Sequence, residues 1–186
     1  MNIIKKIWNK LCGNNNVDQA NLEYLLRNGM KLGHNSYINS GCLIDTGWPW
    51  LISIGDNVII ASDVTILAHD ASTNIVGCGT KLGRVTIGNN VFIGTKSVIL
   101  CNTKIGDNVV VGAGSVVTHD LPAGGVYAGS PAIKICTIDE YRKKNEKLRQ
   151  ERPDFGKIRK WDQWKMATEK EKTDMTQRMK NGVGFV

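Results

Sequence analysis

A chain of 186 residues with 41% hydrophobic content is long enough for one domain with appendages at its ends, and 20 glycines against three phenylalanines suit a narrow solenoid. The formal charge of +7 does not point to nucleic acid, because the basic residues gather outside the hydrophobic repeat, chiefly in Tyr141 to Lys180, with acidic residues interleaved; a solvated helix face and a surplus that helps capture a polyanionic cofactor both stay open. No run approaches the roughly 18 apolar residues of a membrane span, and five cysteines without a C-x-x-C pair argue against a disulfide framework or a zinc cluster and for a reducing cytoplasm.

Met1 to Cys12 places Ile3, Ile4, Ile7, Trp8 and Leu11 on one helical face, with Lys5, Lys6 and Lys10 elsewhere. Its apolar core is too short for a secretory signal. A cap on the end of a solenoid is the preferred reading over an interfacial helix, so membrane association is not expected. Residues 17–30 predict a short helix, with Leu22, Leu25 and Leu26 on one side and Gly29 as its stop. Residues 1–31 together make an N-terminal helical cap.

A period of six then begins. Leu32, Ile38 and Ile44 keep the step, Gly47 to Leu51 (GWPWL) intrude, and the step resumes at Ile54, Ile60 and Ile66. It is strictest at Ile87, Ile93, Ile99, Ile105, Val111 and Val117. Such a repeat defines an all-β solenoid, a parallel β-helix in which three hexapeptides make one triangular coil. Asp56-Asn57, Asn89-Asn90 and Asp107-Asn108 mark corners that need a positive φ. From Ile66 to Ile87 is 21 residues, three more than whole hexapeptides permit, so an excursion loop leaves the coil at about 71–84. The solenoid occupies 32–136 and closes on a partial coil, Val126 to Ala132. Residues 137–186 form a C-terminal extension with two predicted helices, Ile138 to Gln150, with Thr137 and Glu140 as a possible capping box, and about Thr168 to Lys180.

Three histidines are present, and His34 reads as a surface or corner residue. His69 stands at the corner from which the excursion departs, where an aliphatic filler is missing. It is either a corner residue bonded to its own loop or a general base, since imidazole is the side chain whose ordinary titration lies near neutral pH. Asp70 or a backbone carbonyl would orient it, although neighbours in an extended chain point opposite ways. A three-histidine zinc site is disfavoured by separations of 35 and 50 residues, so no metal is expected. Cys78 and Cys101 carry no nucleophile pattern.

The hexapeptide array, His69 before an excursion, IGDNVVVGAGSVVTHDLP from Ile105 to Pro122 and VYAGSPA from Val126 to Ala132 resemble the hexapeptide-repeat O-acetyltransferases, within them the maltose, galactoside and nodulation acetyltransferase branch. The resemblance covers about Leu32 to Ile138. It implies left-handed prisms assembled as a homotrimer with active sites between subunits, and direct acetyl transfer from acetyl-CoA to a hydroxyl of a sugar or sugar-containing acceptor. On that resemblance His69 is the general base, and Asp45 and Asn39 hold the acceptor or the oxyanion. Gly94, Thr95, Gly112 and Ala113 line the pantetheine groove. Two departures stand near the coenzyme phosphates: Thr118-His119 replaces the usual Thr-Lys, and the basic residue after the closing Pro-Ala is displaced to Lys134. The rivals are an acetyltransferase for an amine or antibiotic, for which the excursion is short, and a non-catalytic trimeric scaffold.

Overall fold

The computed structural model describes residues 19–155, 167–180 and 182–185; the helix expected over Met1 to Cys12 lies outside them. Two compact units emerge, Met1–Ile138 and Asp139–Val186.

The first unit is a solenoid of three sheets whose strands all pair in parallel except at the final β15–β16 pair. One joins β1 (Lys31–Leu32), β4 (Ile52–Ile54), β9 (Val85–Ile87) and β12 (Thr103–Ile105). The second joins β2 (Tyr37–Ile38), β5 (Ile59–Ile60), β10 (Phe92–Ile93), β13 (Val110–Val111), β15 (Gly125–Ala128) and β16 (Ile133–Thr137). The third joins β3 (Leu43–Ile44), β6 (Thr65–Ile66), β11 (Val98–Ile99) and β14 (Val116–Val117). Most strands are two or three residues because each hexapeptide turns a corner after its anchor. The anchors stack in register: Ile38 on Ile60, Ile93 and Val111, and Ile44 on Ile66, Ile99 and Val117. All of them are at most 2% exposed, so the core is a column of aliphatic side chains about 4.8 Å apart along the axis. Leu22 and Leu25 of α1 (Gln19–Arg27) and Met30 join the same core, so this helix supplies the cap at the start of the solenoid.

The corners have their own ladder. Asn35, Asn57, Asn90 and Asn108 adopt φ of 53°, 55°, 55° and 56°, and their side-chain amides donate from one coil to the next over 3.2 to 3.4 Å. One residue earlier, the Oδ1 atoms of Asp56, Asn89 and Asp107 accept the backbone N–H of the preceding coil at 2.7 to 2.8 Å. Asparagine tolerates the left-handed region and supplies both a donor and an acceptor, which a repeated corner can use in every coil.

Register partners also measure the two interruptions. Ile87 and Ile105 are 18 residues apart, Leu32 and Ile54 are 22, and Ile54 and Ile87 are 33. The GWPWL segment therefore adds four residues to its coil and the excursion adds fifteen. The excursion is more ordered than a loop over 71–84. It is an antiparallel hairpin that starts at His69, with β7 (His69–Asp70) paired to β8 (Lys81–Leu82). A 3-10 turn, Ala71–Val76, joins them and ends at Gly77, whose φ is 72°. Asp70 accepts from Ser72 N–H at 3.0 Å and pairs with Lys81 at 2.8 Å.

The expected partial coil is present, with Val126 and Tyr127 of β15 stacked in parallel on Val110 and Val111 of β13, and the chain then does something the repeat does not announce. After the cis Ser130–Pro131 peptide the chain reverses, and β16 runs antiparallel along β15, covering the sheet edge that β15 would otherwise expose. In the second unit, α2 (Ile138–Glu151) leads to a parallel bridge between Asp154 and Phe185, where Phe155 N–H donates to Phe185 O at 2.7 Å. The Arg178 guanidinium lies 4.8 Å from the Phe155 ring centroid, and α3 (Glu169–Arg178) opens on a capping box between Thr168 and Glu171. Among the described residues no helix is long and apolar enough to cross a membrane.

Candidate active site

Both interruptions of the repeat meet at one place: the four-residue insertion beyond the corner after β3, and the root of the excursion hairpin. His69 opens the hairpin, and its Nδ1 lies 2.5 Å from Oδ2 of Asp45, 24 residues earlier on the neighbouring coil. Asp45 is 4% exposed. Its Oδ2 also accepts Ala68 N–H at 2.9 Å, and its Oδ1 accepts Gly47 N–H at 2.9 Å. Burial alone would push this carboxyl up. The hydrogen bonds from His69, Ala68 and Gly47 more than offset that, and hold it below the ordinary carboxylate range. An ionised carboxylate only accepts, so Nδ1 of His69 carries the hydrogen, and in the neutral ring Nε2 keeps its lone pair.

A cleft of about 600 Å³ opens beside this pair, lined by Asn21, Cys42, Leu43, Asp45, Thr46 and Leu67 along with His69. The imidazole side chain is 35% exposed, enough to meet a ligand without being loose in solvent. On another side, the Trp48 ring centroid is 4.7 Å from that of His69, with the planes tilted by 51°.

The orienting partner of His69 is thus Asp45, not Asp70. Strand alternation sends Asp70 away to Lys81 and Ser72. The resemblance assigns Asp45 to the acceptor; its carboxylate lines the cleft and accepts from Gly47, Ala68 and His69. Asn39 does not line the cleft; its Oδ1 accepts Ser40 N–H at 2.8 Å. His34 is exposed, 3.4 Å from Asp56.

The residues assigned to the coenzyme lie further along the solenoid. Gly94 and Thr95 form the corner after β10, and Gly112 and Ala113 the corresponding corner after β13. A Cβ on Gly94 would sit 2.4 Å from Ala113 N, so coil packing by itself requires glycine there. Thr95 Oγ1 donates to Ser62 O at 2.7 Å. Thr118 Oγ1 and His119 Nδ1 are 3.1 Å apart on the exposed stretch after β14, and Lys134 is exposed on β16 opposite Tyr127. Sequence reasoning missed Trp48, Asn21, Thr46 and Cys42. The interruption at GWPWL was the available signal for Trp48 and Thr46; nothing in the helical pattern of α1 marks Asn21.

Residues 84–119 match the family model for the bacterial transferase hexapeptide (six repeats). Galactoside O-acetyltransferase of Escherichia coli (strain K12) is 38% identical over 112 residues, 59% of this chain and 54% of that protein. Among solved structures, a galactoside acetyltransferase in complex with coenzyme A superposes with a TM-score of 0.55 at 39% identity, covering 62% of this chain and 58% of that one. A maltose O-acetyltransferase from Clostridium difficile 630 gives 0.50 at 28% identity, covering 72% and 83%. Over its solenoid the chain is similar to the hexapeptide-repeat transferases. It spans between 54% and 66% of the length of the first curated relatives it matches.

Proposed function

We propose that this protein transfers an acetyl group from acetyl-CoA to a hydroxyl of a sugar or sugar-containing acceptor, with His69 as general base. The observation that carries the reading is the Asp45–His69 pair at 2.5 Å beside an open cleft. Relatives named as acetyltransferases support the donor, and the galactoside and maltose enzymes support a saccharide acceptor.

The chemistry follows from the tautomer. Asp45 holds Nδ1–H, so Nε2 is the atom that accepts the acceptor's hydroxyl proton as its oxygen bonds to the thioester carbonyl carbon. Collapse of the tetrahedral adduct breaks the C–S bond, and the departing thiolate takes the proton back from Nε2. The buried carboxylate favours the imidazolium that exists between these steps. Direct transfer needs no acyl-enzyme.

In this reading the prism is left-handed and three copies assemble, with the pantetheine arm along Gly94, Thr95, Gly112 and Ala113. Thr118, His119 and Lys134 stand toward the coenzyme phosphates. Leu43, Ile59 and Phe92, between 41% and 55% exposed, give this assembly an apolar outer surface to bury.

The test is free-thiol release from acetyl-CoA with a panel of sugars, nucleotide sugars and amines, alongside calorimetric titration with acetyl-CoA. Release with hydroxyl acceptors is expected. Release with amines alone would move the protein to N-acetylation, and absence of acetyl-CoA binding would leave a scaffold.

A further inference from the structure

The four-residue insertion has a second consequence for His69. The Cβ–Cγ bond and the hydrogen bond at Nδ1 hold two adjacent points of the imidazole, but coupled changes in χ1 and χ2 can still tilt the ring and move Nε2. Trp48 supplies a surface against that motion, with its ring centroid 4.7 Å from the imidazole.

The insertion is built as a mount for this indole. Gly47 N–H donates to Oδ1 of Asp45, the carboxylate that holds Nδ1, so the segment is anchored to the site at its first residue. Pro49 is buried at the start of the 3-10 turn Pro49–Leu51, where its preset φ favours the turn. Leu51 N–H donates to Trp48 O at 3.0 Å, and Ile52 N–H donates to Pro49 O. Trp48 itself packs against the aliphatic core. The indole is therefore held from the coil side and the insertion side at once. Its neighbour Trp50 is 58% exposed and does not share this role.

We propose that Trp48 is a positioning residue: it fixes the plane of the His69 ring, so that Nε2 is presented to the acceptor, and favours the imidazolium formed when Nε2 takes the proton. The first effect is steric. The second follows because a cation within about 6 Å of an indole centroid is attracted by the ring's electron-rich face. The inference rests on His69 being the base, but the geometry of the ring can be read independently of turnover.

The experiment compares wild type, W48L, W48F and H69A in the full chain. Spectra of protein carrying isotope-labelled histidine are recorded, with H69A assigning the His69 ring signals. Wild type is expected to show one set of His69 ring-proton signals displaced by the indole ring current. In W48L these should lose the displacement and broaden, and in W48F most of the displacement should return. Turnover is then measured with acetyl-CoA and a simple galactoside, and with acetyl-CoA alone, where water is the acceptor. Loss of orientation without loss of coenzyme binding should lower kcat about 10- to 100-fold in W48L, leave KM for acetyl-CoA unchanged, and be largely rescued in W48F. Wild-type ring signals in a folded W48L would overturn the proposal, as would W48L turnover equal to wild type where H69A is inactive. Turnover undiminished in H69A would instead overturn the base assignment, and the ring spectra would still decide whether Trp48 fixes the ring.

Discussion

At the scale of the residue, the buried Asp45 carboxylate distinguishes His69 from the exposed His34 and His119. Its two oxygens accept from Gly47, Ala68 and His69, so the same carboxylate ties together the insertion, the root of the hairpin and the imidazole. Asp45→Asn keeps the shape but offers an amide that can donate as well as accept, which admits the tautomer with hydrogen on Nε2. By comparison with other carboxylate–histidine pairs, kcat should fall by about 10²- to 10⁴-fold while acetyl-CoA binding is kept; steady-state kinetics beside calorimetry checks this. The sign of the pH effect on stability also follows. A carboxyl lowered in the folded chain contributes stability that is fully present above the ordinary carboxyl titration, at about pH 4, and is lost as pH falls through the folded value. Urea denaturation should therefore find Asp45→Asn less stable than wild type at pH 7, with the gap closing below about pH 4.

At the scale of the element, the hexapeptide coils and the two interruptions behave differently. The corner ladder predicts that Asn90→Ala, which loses two side-chain bonds and forces alanine to a φ of 55°, destabilises by about 1–2 kcal/mol. Asn90→Gly should cost less, since glycine takes that φ freely; the midpoints of urea denaturation at one protein concentration separate the two. Ile87 to Val117 made the coils legible, because every coil repeats the same demand for an inward aliphatic side chain. The mismatch between Ile66 and Ile87 also located the excursion. A period reports where the chain leaves the coil, however, not what it does outside, so the pairing of His69 with Leu82 and of Asp70 with Lys81 was not readable. The reversal into β16 was hidden too, because Ile133 to Thr137 carries no hexapeptide phase. Nor could the sequence pair Asp45 with His69, whose contact runs between coils and depends on how each corner aims its side chain.

At the scale of the whole molecule, the solenoid's outer surface bears on assembly. Ile59 and Phe92 are register partners on the second sheet and are 48% and 41% exposed, a stripe that the proposed trimer would bury. Phe92→Lys adds charge to an outward position without touching the aliphatic column, so sedimentation should show a smaller species than wild type with its secondary structure intact. In the proposed trimer this site would be one chain's contribution, completed by a neighbour's groove. The proposed chemistry nonetheless turns on one imidazole, and the decisive comparison is acetyl transfer by wild type and His69→Ala, with acetyl-CoA binding followed by calorimetry in both. His69→Ala should lose at least about 100-fold in turnover with binding preserved. Undiminished transfer by His69→Ala would contradict the assignment of His69 as the base.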